Sequence, residues 1–472
     1  MYLQKTLNRS YPVLAMAGAL AMALSGCGGG GGGGVTPATT TATTTTTTTS
    51  TVTASTGPGL TDAPDTNRTA CTANPHVSGR VRWTVLVYVN AANNLQPDSL
   101  LNVAQMASVG SDSSVNIVVQ WKQANCLDCG QPSFFATRRY LVKKHSAAEV
   151  AAITNGDTTP LETDRVPDPS TNDATTHQSD MGSYQTLQNF VQWGSAQYPA
   201  DHLAVVVWDH GSGWRNVYRT AGKNKLASAK RAVSQDNETN NEVETWEMPT
   251  ALTGSAQPLD MLIVDCSLEM MAEVAYEVRN SAKVMVGSEE SPPGAGYPYD
   301  AWLTALKTSG TDPCVVGNSI LTTFIAAYPS APDITQAVVD LSKMPTVASA
   351  LDNFGVSLLA HATDQAPILA SARGSAQSYA YPENKDLYHY ADLVRTTTTA
   401  ADLKAAALAV ESSLRGKGAA AIYAGHGSVS QANSFGMAIY VPDPGTYLST
   451  YSNLALTRAA PHWAQFLQAQ RQ

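Results

Sequence analysis

The run Trp83-Thr84-Val85-Leu86-Val87-Tyr88-Val89 is nearly continuous in β-branched and aromatic residues. A run of that kind, without polar alternation, is the pattern of a strand buried on both faces of a parallel sheet. It ends at Asn90, where turn residues take over. After Pro97-Asp98, Leu101, Ala104 and Ala107 recur at helical spacing, and Val115-Asn116-Ile117-Val118-Val119 reads as a second buried strand. Strand, helix and strand make a βαβ unit. The cycle then repeats. A helix over 181–198 carries Leu187, Phe190, Val191 and Gly194 on one face and precedes the strand Leu203-Ala204-Val205-Val206-Val207-Trp208. A fourth strand covers Met261-Leu262-Ile263-Val264, a helix follows from Leu268 to Arg279, and Val284-Met285-Val286 is a fifth strand. This alternation predicts an α/β fold, a doubly wound, mostly parallel sheet with helices on both faces. In such sheets functional residues collect just beyond the carboxyl ends of the strands.

Two strand ends carry chemistry. Trp208-Asp209-His210-Gly211-Ser212-Gly213-Trp214 follows the third strand and supplies a base, His210. Val264-Asp265-Cys266-Ser267-Leu268 follows the fourth and supplies a nucleophile, Cys266 or Ser267. Consecutive parallel strands are usually neighbours, so the two loops are expected to face each other across the rim of the sheet. Gly211 lets the histidine loop turn tightly and a substrate backbone approach.

These residues resemble the clostripain-like cysteine peptidases, which share the caspase and gingipain fold. The resemblance runs from about Arg82 to Trp302 and more thinly to the C-terminus. It rests on the first strand with Asn93-Asn94-Leu95, on Asp209 to Trp214, on Glu273-Val274-Ala275-Tyr276-Glu277, on Ser288-Glu289-Glu290, and on Pro293-Gly294 with Tyr297-Pro298-Tyr299-Asp300. It implies a caspase-like domain over 81–345, a helical or mixed subdomain over 346–472, and a His/Cys dyad that cleaves peptide bonds after Arg or Lys, with His210 in the histidine position. It also implies calcium, for which no local ligand motif is present.

The family's nucleophile lies in a segment reading Asp-Ala-Cys-Leu-Met, whereas this chain reads Asp265-Cys266-Ser267-Leu268-Glu269. Aligned without gaps, Ser267 takes the cysteine's place and Cys266 the alanine's. A thiol ionises by a few per cent near neutrality and is intrinsically nucleophilic, whereas a hydroxyl needs strong base assistance. Neighbouring side chains leaving a strand point to opposite sides, so Cys266 serves only if the loop shifts by one residue. The resemblance also implies two acidic residues that hold a basic P1 side chain. Asp265 retains the first, and Ala295 stands where the second would be. The Asn-Asn loop has Ala92 where the family commonly carries Asp. Two functions follow: a peptidase with a serine at the nucleophile position, or a pseudo-peptidase that binds peptides without cutting them. Lys223, Lys225, Lys230 and Arg231 lie in a polar stretch where the family self-cleaves; a solvated surface loop reads equally well.

The N-terminal segment is read separately. Lys5 and Arg9 precede a short apolar run from Val13 to Leu24, and Leu24-Ser25-Gly26-Cys27 closes it. That is a lipoprotein signal peptide over 1–26, with Cys27 as the lipidated residue. Residues 27–80 are expected to form a disordered tether, because unbroken glycine to Gly34 and dense threonine to Thr56 cannot nucleate a core,. The expected product is an exported lipoprotein held at the cell envelope, at the outer membrane or cell surface, whose membrane contact is the lipid anchor alone. Gly28 in place of aspartate points to outer-membrane sorting.

Charged residues make up 14% of the chain and the net charge is -9, so with no basic stripe nucleic acid is not an expected partner,. A protein or peptide substrate is. Beyond Cys27, Cys71, Cys126, Cys129, Cys266 and Cys314 leave an odd thiol,. Cys126 and Cys129 pair locally, or each reaches Cys71 or Cys314. No second close pair exists to complete a zinc site, and no metal is expected there. His426 sits in a His-Gly pair after the apolar run 419–424 but has no nucleophile partner. Beyond Cys314 the chain reads as mixed helices, such as Ala401 to Leu414, with one strand at 437–441.

Overall fold

The structure is a computed structural model. It describes Cys71, Val77 and residues 79–126, 129–166, 179–215, 233–308, 310–416, 418 and 420–470. Cys27, the 1–26 segment, most of the 27–80 tether and the stretch with Lys223, Lys225, Lys230 and Arg231 lie outside the described residues.

Twelve strands are present among the described residues: β1 Val81–Ala91, β2 Val115–Gln123, β3 Ala136–Leu141, β4 Ala200–Trp208, β5 Val233–Asp236, β6 Asn241–Val243, β7 Leu259–Asp265, β8 Ala282–Gly287, β9 Thr335–Asp340, β10 Asn384–Asp386, β11 Ile422–Gly427 and β12 Ala438–Tyr440. Eight of them form one sheet in the order β11-β9-β8-β7-β4-β1-β2-β3. The five strands read from apolar runs form its parallel centre. β3, β9 and β11 extend it antiparallel at the two sides. The chain passes from β1 to β2 on one side and then crosses to β4 on the other. The carboxyl ends of β1 and β4 therefore flank the point where strand order reverses, the place where such sheets open a crevice,.

Alternation along each strand feeds two cores. Val85, Val87 and Val89 of β1 pack on one face with Val103, Ala104 and Met106 of the helix Gln96–Val109 and with Trp302 and Phe324 of two later helices. Leu86 and Tyr88 face the other side, against Leu187, Phe190 and Val191 of the helix Tyr184–Gln197. A face-to-face split of this kind is what buried parallel strands require. The second core continues without a break into Leu351, Phe354, Tyr390 and Trp463, so residues beyond 346 cover the same sheet face. No helix among the described residues is long and apolar enough to cross a membrane.

Two helix boundaries differ from the sequence expectation. The helix read from Met181 starts at Tyr184, after a turn in which Met181 caps the Tyr88 hydroxyl with its carbonyl. The helix read from Leu268 to Arg279 is confined to Ala272–Glu277, followed by a 3-10 turn. Leu268 has φ 68°, a left-handed conformation that a helix cannot start from,. Met270 instead bonds backbone to backbone, through its N–H to Ser288 O and through its O to Ala438 N–H. Two disulfides are present, Cys71–Cys314 and Cys126–Cys129, and Cys266 is the free thiol among the described residues.

Candidate active site

β4 and β7 are hydrogen-bonded neighbours with Trp208 level with Asp265. That register brings the two loops that follow them side by side. A Cβ on Gly211 would lie 2.5 Å from Ser267 O and 2.9 Å from Cys266 Cβ, distances no side chain tolerates, so the histidine loop touches the nucleophile loop only because residue 211 is glycine. Gly213 has φ 68°, and a Cβ there would strike Met271 Sδ at 2.4 Å. Trp214 closes the loop by burying its ring edge-on against Tyr440 and Tyr451.

A cavity of about 180 Å³ opens at this rim, lined by Leu95, Trp208, His210, Asp265, Ser267 and the Pro292–Gly294 turn among others. His210 and Ser267 are each half-buried and both border it. Cys266 does not. It continues the inward alternation of Leu262 and Val264, is 1% exposed, and donates its thiol to Val207 O at 3.4 Å. Burial, with Glu269, Asp209 and Asp265 nearby, pushes its thiol well above the ordinary cysteine range,. Ser267 thus borders the cavity and Cys266 lies behind it.

Local spacing in the sequence gives His210 no orienting group, and the fold brings one to it. Nε2 of His210 is 2.8 Å from Asn94 Oδ1, across the switch point from β4 to the loop after β1. A histidine held through one ring nitrogen has its tautomer and ring direction set for the other. Asn93, next to it, donates to Asp209 Oδ1 at 2.6 Å and to Gln235 O at 2.8 Å, and Asp209 Oδ1 also accepts the His210 amide at 2.6 Å. Burial raises the Asp209 carboxyl well above the usual carboxylate range,. A signal for it is present in the sequence: Asn93-Asn94 follows closely on the end of a central strand, where such sheets place function,.

Asp265 borders the cavity from the other core. Its Oδ2 accepts the Tyr297 amide at 3.2 Å and the Tyr299 hydroxyl at 3.0 Å, and burial raises it to about 7 against the pull of those bonds. Gly296, with φ 66°, lies so close that an added Cβ would be 3.0 Å from Oδ2. The Asn102 side chain accepts from Trp208 Nε1 at 2.7 Å and donates to Ala295 O at 2.9 Å, which fixes the 293–296 turn over Asp265. Ala295 contributes a carbonyl and no second carboxylate. Glu269 is another residue that sequence reading did not single out. Its Oε1 accepts the amides of Ser212 at 3.1 Å and Gly213 at 3.0 Å.

His426 is far from this chemistry in the fold: it lies in β11, at the opposite edge of the sheet from β3, opposite Gln336 of β9. Among the described residues, the one grouping of three potential metal ligands is Cys71, Asp312 and Cys314, whose sulfurs are joined in a disulfide. The carboxyls at the rim, Asp209, Asp265 and Glu269, are buried and engaged by N–H and O–H donors. They do not form the open oxygen cage that calcium takes.

A mostly parallel sheet flanked by helices, with the loops of two adjacent central strands side by side over a cavity, is an α/β architecture of the caspase-like type. The chain belongs to the clostripain family, peptidase C11, whose model matches residues 87–469. It is similar to the clostripain of Hathewaya histolytica, 24% identical over 313 residues, which cover 58% of this chain and 56% of that protein. The chain thus aligns with little more than half the length of that relative. Two solved structures share the fold over 81% of this chain and 99% of theirs. One is a secreted C11 cysteine protease from Bacteroides thetaiotaomicron in complex with an irreversible peptide inhibitor, TM-score 0.55 at 17% identity. The other is an inactive zymogen C11 protease from Parabacteroides distasonis, TM-score 0.55 at 18% identity.

Proposed function

We propose that this chain is a clostripain-like endopeptidase that hydrolyses peptide bonds with His210 as base and Ser267 as nucleophile. The observation that carries the reading is the shared cavity: of the two candidate nucleophiles, Ser267 and not Cys266 borders it with His210. In this mechanism His210 takes the Ser267 hydroxyl proton as Oγ attacks the scissile carbonyl, and returns it to the leaving amine. Asn94 orients the imidazole through Nε2. Asp265 receives a basic P1 side chain. With Ala295 in place of a second acid, that preference for Arg or Lys is weaker than two carboxylates would give. The amides of Ser212 and Gly213 are committed to Glu269, so the tetrahedral oxyanion draws its donors from other N–H groups of the two loops,.

The hydroxyl at position 267 favours a second reading, a pseudo-peptidase that binds peptides at the same cavity without cutting them. Fluorogenic Arg and Lys peptides separate the two when assayed with the wild type, His210→Ala, Ser267→Ala and Ser267→Cys. Hydrolysis lost in both alanine variants supports the peptidase. A silent wild type that gains activity with Ser267→Cys supports the binding protein. Activity indifferent to His210→Ala overturns both. The substrates we propose are proteins within reach of the membrane, because the Leu24-Ser25-Gly26-Cys27 pattern reads as a lipid attachment site,. The secreted description of the similar B. thetaiotaomicron protease agrees with export.

A further inference from the structure

We propose that Glu269 is a positioning residue that clamps the histidine loop onto the nucleophile loop, so that His210 and Ser267 are held in register. The proposal rests on the reading of those two residues as the reacting pair. Glu269 lies two residues beyond Ser267 and is 3% exposed. Its Oε1 takes both N–H groups of Ser212 and Gly213, the second and third residues after His210. Gly211, between His210 and Ser212, comes so close that an added Cβ would meet the same oxygen at 2.6 Å. One carboxyl oxygen thus occupies the concave side of the turn that carries the base.

Among the described residues nothing else holds those two amides. Ser212 is fully buried, and neither its N–H nor that of Gly213 bonds any other acceptor within the described backbone. Removing the acceptor would leave two buried donors unpaired, which the turn escapes only by opening toward solvent. Burial raises the Glu269 carboxyl to about 8, so near neutrality it accepts these bonds largely as the neutral acid and adds little negative charge beside Asp209, Asp265 and Cys266,. The clamp also has a chemical use. A thiolate attacks without needing its proton removed at that moment, whereas a serine hydroxyl gives up its proton as it attacks and so needs its base at hydrogen-bond distance throughout. A site with serine at position 267 therefore gains more from a braced histidine loop than a cysteine site would.

The test uses the full chain, with Glu269→Gln, which keeps an acceptor oxygen, and Glu269→Met, which keeps only length. Hydrogen exchange at the Ser212 and Gly213 amides and the NMR shift of the His210 imidazole are read alongside kcat and KM on Arg and Lys peptides, in the wild-type and Ser267→Cys backgrounds. The expected result for Glu269→Met is exchange at both amides faster by at least about tenfold, a moved imidazole signal, and kcat lower by about ten- to a hundredfold at little changed KM. Glu269→Gln keeps the amide protection and restores the rate to within about threefold of its parent. Unchanged exchange in Glu269→Met, or Glu269→Gln as impaired as Glu269→Met, overturns the proposal. If Glu269→Met does not fold, the wild type still decides: amides of Ser212 and Gly213 that exchange at free-peptide rates overturn it. If the exchange changes appear while both backgrounds are inactive, the clamp is real but the assignment of His210 and Ser267 is wrong, and with it the positioning role.

Discussion

The register of the loop after β7 gives its sharpest prediction in thiol chemistry. With Cys266 1% exposed and its thiol hydrogen-bonded to Val207 O, iodoacetamide at pH 7.5 has almost no thiolate to reach. An ordinary cysteine, with a pKa near 8.5, is about one-tenth thiolate at that pH. Each unit of upward shift removes a factor of ten, and burial with three neighbouring carboxyls shifts Cys266 well upward,. Alkylation of Cys266 in the folded protein should therefore be at least about a hundredfold slower than that of an exposed thiol. Ser267→Cys places a second thiol at the cavity beside His210, whose imidazolium stabilises a thiolate,. That thiol should label at or above the exposed rate and lose the advantage when His210→Ala is added. Peptide mapping by mass spectrometry assigns each label to its residue, and Cys266→Ala in the same background should leave the fast label untouched. Truncating Cys266 removes one buried atom and should cost about 1–2 kcal/mol of stability. Fast labelling of Cys266 in the wild type, abolished by His210→Ala, would falsify the register and make Cys266 the nucleophile.

Gly211→Ala should cost at least about 2 kcal/mol and disrupt the site, because the new Cβ meets Ser267 O at 2.5 Å and Glu269 Oε1 at 2.6 Å; denaturant unfolding checks the first and peptide binding the second,. Glu273 accepts the Tyr440 amide at 2.9 Å and the Tyr451 hydroxyl at 2.8 Å, and burial raises it to about 7. The folded state then binds a proton that the unfolded chain, with a pKa near 4.3, has released, so stability from this group is full below that value and falls as pH rises to about 7. Glu273→Gln keeps the acceptor and should flatten that slope, gaining about 1–3 kcal/mol at pH 8 in urea titrations; a slope unchanged by the substitution counts against it. Replacing Cys71 and Cys314 together by alanine opens a loop of 243 residues and should lower stability by about 5 kcal/mol on the chain-entropy account, with a loss under about 1 kcal/mol refuting it,.

The central strands were legible because burial on both faces demands unbroken apolar runs, and β1, β2, β4, β7 and β8 each contain the run that announced them. β3 escaped notice for the opposite reason. Its sequence carries Arg138 and Arg139, and the second is buried with its guanidinium stacked on Trp193 at 4.1 Å and donating to Gln120. The apolar spacing from Leu268 fits a helix, whereas its backbone is left-handed in a loop that long-range bonds hold open, from Leu268 N–H to Glu290 O and from Met270 to Ser288 and Ala438.

By itself the sequence determined the alternation of strands and helices, the two strand ends that carry His210 and the Cys266-Ser267 pair, and the departure at position 267, all of them local patterns of residue type and spacing. Which side chain faces the cavity, what orients His210 and what holds its loop were decided only in the tertiary structure. Those depend on neighbours 116 positions away for Asn94 and His210 and 57 positions away for Glu269 and Ser212. The order of strands around the switch point between β1 and β4 brings them together, and no local spacing encodes that order,.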